Sequence, residues 1–217
     1  MRFTTFLVFL LSVTAASAEA PAEDAGRRLV DEFVNNVVTF EASFEQRLID
    51  ADGQVIENTN GLLEIRRPGQ FRWSYIEPYE QWLVADGINI WNYDVDLAQV
   101  TVKPQAEALA NTPALLLSGA DGALDQFEYQ GSYVEDVTTW VRLVPKNTES
   151  GFERVELGFT AETLTRMVFF DNLEQTTLVQ LREVAVNDMI DPARFEFIVP
   201  EDVDVVGVPA VADATDP

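Results

Sequence analysis

The sequence contains neither cysteine nor histidine. The chain therefore has no thiolate nucleophile, no Ser–His–Asp or Cys–His catalytic set and no disulfide bond, and it lacks the usual zinc ligands. No GxGxxG or P-loop sequence offers a nucleotide site. The 37 acidic residues leave a paired-carboxylate glycosidase open on composition alone, but no motif favours it. We therefore expect a protein that is not an enzyme and that uses no cofactor and no metal.

Basic residues are also scarce. The chain has 14 Lys and Arg residues and 37 Asp and Glu residues, which gives a formal net charge of −23. A surface this acidic repels phosphate backbones and anionic lipid surfaces. We therefore expect no nucleic-acid partner, and a solubilising surface is the simplest interpretation of the charge.

Beyond its first residues the chain has no long apolar run. Residues 1–18 combine a basic start, a short apolar run and the small residues Ala16-Ser17-Ala18, which are the three parts of a secretory signal peptide. The run is shorter than the about 20 residues that a membrane-spanning helix needs, although an uncleaved anchor is the alternative. We expect cleavage after Ala18, with Ala20 as the second choice. The mature protein should then not be embedded in a membrane.

Apolar periodicity predicts one helix followed by many strands. Within residues 24–38, apolar residues such as Leu29, Val30 and Phe33 recur at steps of three and four, which indicates an amphipathic helix. From Phe40 onward the period changes to two, which is typical of strands. Strands are predicted at residues 40–48, 61–66, 71–75, 81–85, 88–93, 99–103, 127–134, 139–145, 152–160, 163–171, 176–187 and 195–199.

Residues 104–118 interrupt this series. Thr112 suits a helix N-cap and Pro113 a first helical position, and the apolar residues 114–117 follow. These features predict one or two short helices that end near Gly119.

The many evenly spaced strands predict a mainly β (α+β) fold with a large antiparallel sheet. We expect one domain over residues 19–205 and an acidic, disordered tail at residues 206–217. Aromatic residues are concentrated in the strands. A wide curved sheet covered by only two or three short helices leaves an apolar concavity, which suits a ligand with acyl chains.

Several short motifs, taken in order, resemble the LolA family of outer-membrane lipoprotein carriers. The resemblance covers residues 40–205 and depends on the series and its spacing rather than on any single motif. The motifs are Arg66-Arg67-Pro68-Gly69-Gln70-Phe71-Arg72-Trp73, Leu83-Val84-Ala85-Asp86-Gly87, Ile90-Trp91-Asn92-Tyr93-Asp94, Asn111-Thr112-Pro113-Ala114-Leu115-Leu116-Leu117, Leu143-Val144-Pro145-Lys146 and Phe195-Glu196-Phe197.

The resemblance implies an incomplete antiparallel β-barrel whose apolar concavity is lidded by short helices, with an N-terminal amphipathic helix beside it. It also implies a monomeric periplasmic chaperone for acylated lipoproteins. Such a carrier is loaded by a LolCDE-type ABC transporter of the inner membrane and delivers to a LolB-type outer-membrane acceptor, where one exists. The alternative is a non-enzymatic periplasmic sensor of the same fold that binds lipid or lipoprotein.

The resemblance also implies roles for individual residues. The arginine that matches Arg67 in LolA-like proteins holds the lid helices closed when the cavity is empty, with the neighbouring Arg66 as the alternative anchor. Arg72 and the acidic tail correspond to no known role in the family. Alternation places residues 71, 73 and 75 on one strand face, and the resemblance places this region near the cavity mouth. The predicted acyl-chain cavity consists of Phe71, Trp73, Tyr75, Trp91, Leu115 and Leu116.

Overall fold

The computed structural model describes residues 24–109, 112, 114–120, 122–147 and 149–211. The predicted signal peptide, residues 1–18, lies outside the described residues, as does Pro113 of the predicted lid helix. In the described part of the chain, no helix is both long enough and apolar enough to cross a membrane.

The described residues form a twelve-stranded sheet and three short α-helices, with 3-10 turns at Leu124–Gln126 and Pro192–Phe195. In chain order the elements are α1 (Ala25–Asn36), β1 (Thr39–Ile49), β2 (Val55–Arg66), β3 (Gln70–Glu77), β4 (Gln81–Asp86), β5 (Asn89–Asp94), β6 (Gln99–Pro104), α2 (Gln105–Leu109), α3 (Ala114–Ser118), β7 (Phe127–Glu135), β8 (Thr138–Pro145), β9 (Phe152–Thr160), β10 (Thr163–Asp171), β11 (Thr176–Val186) and β12 (Asp204–Val206).

The strands form one curled sheet in the order β12-β6-β5-β4-β3-β2-β1-β11-β10-β9-β8-β7. All neighbouring strands are antiparallel except β12 and β6, which are parallel. Strand β1 pairs with both β2 and β11 near the middle of the sheet. Because β7 and β12 are the two edges among the described residues, the barrel is incomplete. The predicted fold class is confirmed.

The concave inner face of the sheet packs against α1. Asp24 caps this helix, since its carboxylate accepts a 3.0 Å hydrogen bond from the Gly26 N–H. The part of the predicted apolar stripe that lies within the helix is buried, and Phe33 from it packs edge-on against Phe40 of β1, whereas Val38 beyond the helix is exposed. The helix ends at Asn36, two residues before the predicted end, because Val37 is extended.

The outer face of β3–β6 carries a second apolar layer, which is covered by the C-terminal segment (residues 187–211). Phe195 is fully buried in this layer, and Phe197 stacks on Trp91 at a centroid distance of 5.3 Å. The predicted strand at residues 195–199 is wrong, since a 3-10 turn ends at Phe195 and the following residues make no sheet ladder. The alternating aromatic residues there face the sheet without pairing with a strand.

Polar contacts also attach the C-terminal segment to the sheet. Arg194 makes two hydrogen bonds to the buried carboxylate of Glu64, at 2.8 and 2.6 Å. Asn89 exchanges hydrogen bonds of 3.0 and 2.7 Å with the backbone of Ala210. Residues 206–217 were predicted to form a disordered tail, but Val206 is the last residue of β12 and Ala210 is bonded to β5. Residues 212–217 lie outside the described part.

Arg72 belongs to this outer layer. Its guanidinium lies 4.4 Å from the centre of the Trp82 ring, and it donates a 3.3 Å hydrogen bond to the backbone oxygen of Arg194. This arginine, for which the family resemblance gave no role, therefore contacts both the sheet and the C-terminal segment.

Candidate functional site

Strand β3 places an aromatic row on the inner face of the sheet. Phe71 is completely buried and Trp73 is nearly so, while Tyr75 is half-buried. Phe44 of β1 packs edge-on against Trp73 at 5.3 Å and against Tyr75 at 5.4 Å. The period of two in both strands gives this arrangement, because alternate side chains of a strand share one face.

Helices α2 and α3, which we call the lid, cover this inner face. Leu116 and Leu117 of α3 are 2% and 3% exposed and belong to the same apolar core as Phe71. Leu115 packs against that core while remaining partly exposed. The lid is therefore closed in this structure, and an acyl chain would have to displace it to reach Phe71.

Arg67 joins the lid to α1. It lies in the turn between β2 and β3, and its guanidinium donates to the backbone oxygens of Leu117 at 3.2 Å and Leu116 at 3.1 Å. It also donates to the backbone oxygens of Phe33 and, at 2.9 Å, Val37. All four acceptors lie at helix C-termini, where carbonyl groups lack partners within the helix. One side chain thus satisfies the ends of α1 and α3 together.

The surroundings of Arg67 are apolar and tightly packed. The guanidinium carbon lies 4.6 Å from the centre of the Phe33 ring, and burial lowers the pKa of Arg67 to about 10. The side chain therefore stays protonated at neutral pH. A Cβ added to Gly119, which has a φ of +58°, would lie 2.2 Å from the Arg67 Cδ. Glycine at the end of α3 thus leaves the space that this arginine occupies.

At the far end of β3, the turns after β3 and β5 border a pocket of about 420 Å³ that has both polar and apolar lining residues. Its lining includes Tyr75, Gln46, Thr59, Glu57 and Asp94. The inner face is therefore apolar beneath the lid and becomes polar and acidic at this end.

Tyr75 should ionise late in alkaline titration. Its pKa is raised to about 12, first by burial and further by the charge of Glu57, while a hydrogen bond with Gln46 acts in the opposite direction. An unfolded tyrosine ionises near pH 10, so the stability that Tyr75 contributes is present below about pH 10 and is lost as pH rises to about 12. Ultraviolet titration of tyrosinate should show a late component that Tyr75→Phe reduces. The exposed-site control Tyr79→Phe should leave this component in place.

The structure brings together most of the predicted cavity residues, but not Trp91. Trp91 pairs with Val84 on the outer face of the sheet, and its Nε1 donates a 2.7 Å hydrogen bond to Asp86. The inner-face residue of β5 is its neighbour Ile90, which joins the apolar core. Trp91 is thus corrected to a residue of the outer layer, because both faces of β5 are apolar and covered.

Sequence reasoning missed the partners of Arg67 in α1 and the role of Gly119 as a spacer. The acceptors in Phe33 and Val37 are backbone carbonyls, which every residue carries, so no sequence signal marks them. Gly119 offered a signal, since glycine with positive φ commonly follows a helix.

Comparisons with known proteins give the family. A family model described as outer membrane lipoprotein carrier protein LolA matches residues 35–198. A relative from Nitrosomonas europaea, named outer-membrane lipoprotein carrier protein, is 39% identical over 203 residues, which cover 93% of this chain and 98% of that protein. The chain belongs to the LolA family. A relative of the same name from Hahella chejuensis is also 39% identical and covers 92% of this chain and 97% of its own length.

A solved structure shows the LolA-like fold in a more distant protein. An uncharacterized conserved protein from Thermus thermophilus aligns with a TM-score of 0.53 at 17% identity, over 84% of this chain and 99% of that chain. This likeness concerns the fold alone. Within the LolA family, the roles of Arg67 and of the aromatic row in this chain stay predictions.

Proposed function

We propose that this LolA-family protein is a periplasmic carrier that shields the acyl chains of lipoproteins beneath its lid. The observation that carries the proposal is the apolar inner face: Phe71 of the sheet and Leu116 of the lid are buried in one apolar core, and Arg67 binds the lid in its closed position. Displacing the lid would free an apolar surface suited to acyl chains, while the acidic exterior keeps the loaded carrier in solution.

Release is the difficult step for such a carrier. Each buried methylene contributes about 0.8 kcal/mol, so three acyl chains bound without an opposing term would stay bound. The bonds from Arg67 to Leu116 and Leu117 exist in the closed, empty state. Because cargo must break them to enter, reforming them favours release.

The proposed pathway follows from the family. A LolCDE-type ABC transporter loads the carrier at the inner membrane, and a LolB-type acceptor receives the cargo at the outer membrane, where one exists. The segment at residues 1–18 directs the chain to the periplasm. The protein acts as a monomer and catalyses no reaction in this pathway.

Size-exclusion chromatography without detergent tests the proposal. A synthetic triacylated lipopeptide should co-elute with the purified mature protein, one lipopeptide per chain, because the acyl chains replace the lid on the inner face. The same peptide without acyl chains is the control and should elute alone. If the acylated peptide elutes only as aggregates whether or not the protein is present, the carrier function is wrong.

A further inference from the structure

Gln105 is a buried polar residue at the point where the lid leaves the sheet. It is 8% exposed and is the first residue of α2, directly after Pro104, which still pairs with Asn89 in the sheet. Buried amide side chains require hydrogen-bond partners. The partners of Gln105 therefore indicate what holds this end of the lid.

Three hydrogen bonds of Gln105 go to turns of the sheet. Its Nε2 donates to the Gly69 oxygen at 2.6 Å, and its Oε1 accepts from the Gly87 N–H at 3.0 Å. Its backbone N–H donates to the Ile88 oxygen at 2.8 Å. Leaving such buried groups without partners destabilises the structure. The first residue of α2 is thus bound to two turns at the same end of the β3–β4 hairpin, one before β3 and one after β4.

The other lid helix is held differently. Helix α3 is bound through the carbonyl groups at its C-terminus, to the side chain of Arg67 and to the Gly69 N–H, which donates to the Ser118 oxygen at 2.8 Å. Gln105 directly follows the last residue of β6, whereas the C-terminal end of α3 adjoins no strand in the sequence. Gly69 therefore contacts both helices, with its N–H bonded to α3 and its oxygen bonded to α2.

We propose that Gln105 is the fixed hinge of the lid. When cargo enters, α3 leaves Arg67 and Gly69, while the side chain of Gln105 keeps the start of α2 bonded to the two turns. Gln105 is thus a positioning residue that returns α3 to the same place after release. This inference rests on the proposed carrier function and adds the direction in which the lid moves.

Hydrogen exchange at two backbone amides, measured by NMR, tests the hinge. The Gly69 amide reports the bond to α3, and the Gly87 amide reports the bond to Gln105. The Ile88 amide is the internal control, because it donates to Asp86 in the same turn. Three samples are compared: the empty protein, the protein loaded with the triacylated lipopeptide, and the empty Arg67→Leu variant, which frees α3 without cargo.

We expect the Gly69 amide to exchange at least about tenfold faster in the loaded protein and in Arg67→Leu, with Gly87 and Ile88 unchanged within about twofold. In Gln105→Leu, the Gly87 amide should exchange faster while Ile88 keeps its rate. Gln99→Leu, an exposed substitution on β6, should change none of the three amides.

The outcomes separate the hinge from the carrier function. If Gly87 loses protection together with Gly69, the whole lid detaches, and the hinge is overturned while the carrier function stands. If neither amide changes in the loaded protein or in Arg67→Leu, the lid does not move and the hinge is also wrong. Failure of the lipopeptide to bind overturns the carrier function, whereas the Arg67→Leu sample still tests the hinge.

Discussion

Replacing Arg67 with leucine is expected to make the protein retain acylated cargo more tightly and to slow its transfer to an acceptor at least about tenfold. The side chain donates to Leu116 and Leu117 of the lid, and each bond from a charged donor contributes about 1.5–3 kcal/mol. Because these bonds stabilise only the closed state, their loss shifts the equilibrium towards the open, cargo-holding state. The measurement is the transfer rate of a loaded lipoprotein to a purified acceptor.

Arg66→Leu is the matched control for this prediction. Arg66 precedes Arg67 directly, but its Nη1 donates to the Gln70 side chain at 2.6 Å rather than to the lid. We therefore expect transfer at the wild-type rate. Equal rates for wild type and Arg67→Leu, or weaker retention by Arg67→Leu, would remove Arg67 from the mechanism and make its contacts merely structural.

The sheet could be predicted from the sequence because its strands alternate apolar and polar residues and end at recognisable turns. Strand β2 was predicted to begin at residue 61, but it begins at Val55. Its first four residues, from Val55 to Asn58, are exposed, so no alternation of burial accompanies their backbone pairing with β1. Periodicity reports which side chains face a core, whereas a ladder of backbone hydrogen bonds can continue without it.

The error at Trp91 has a related cause. Alternation on β5 separates Ile90 from Trp91 correctly but does not say which face is the concave one. That assignment depends on the C-terminal segment, about one hundred residues later in the chain, which brings Phe197 against Trp91. When both faces of a strand are covered, local sequence cannot distinguish a cavity wall from an outer layer.

The two faces of β3 have different kinds of cover. On the inner face the lid is bonded by Arg67 to backbone oxygens, so opening breaks bonds that can form again unchanged. On the outer face the C-terminal segment is held by an ion pair whose carboxylate, Glu64, is 1% exposed, and opening would leave that charge buried. We therefore expect the outer cover to be the permanent one and to keep the strand rigid when the lid opens.

Arg194→Ala should consequently destabilise the fold by about 2–3 kcal/mol. Removing one partner of a buried ion pair costs about 3–5 kcal/mol, and the value is lower here because the Arg194 side chain is 47% exposed and water can reach part of the pair. Thermal unfolding should show a midpoint lower by about 5–10 °C. Lipopeptide binding below that temperature should remain, because the inner face is unchanged.

Two further variants show whether this loss of stability comes from leaving the buried Glu64 carboxylate without its partner. Arg182→Ala breaks an exposed pair with Glu45 at 3.0 Å, with side chains 55% and 51% exposed, and should cost less than about 1 kcal/mol. Glu64→Leu combined with Arg194→Leu removes both charges and should recover most of the stability lost in Arg194→Ala. If the double variant melts as low as Arg194→Ala, packing of the arginine side chain holds the C-terminal segment, and the buried charge at Glu64 does not explain the permanent cover.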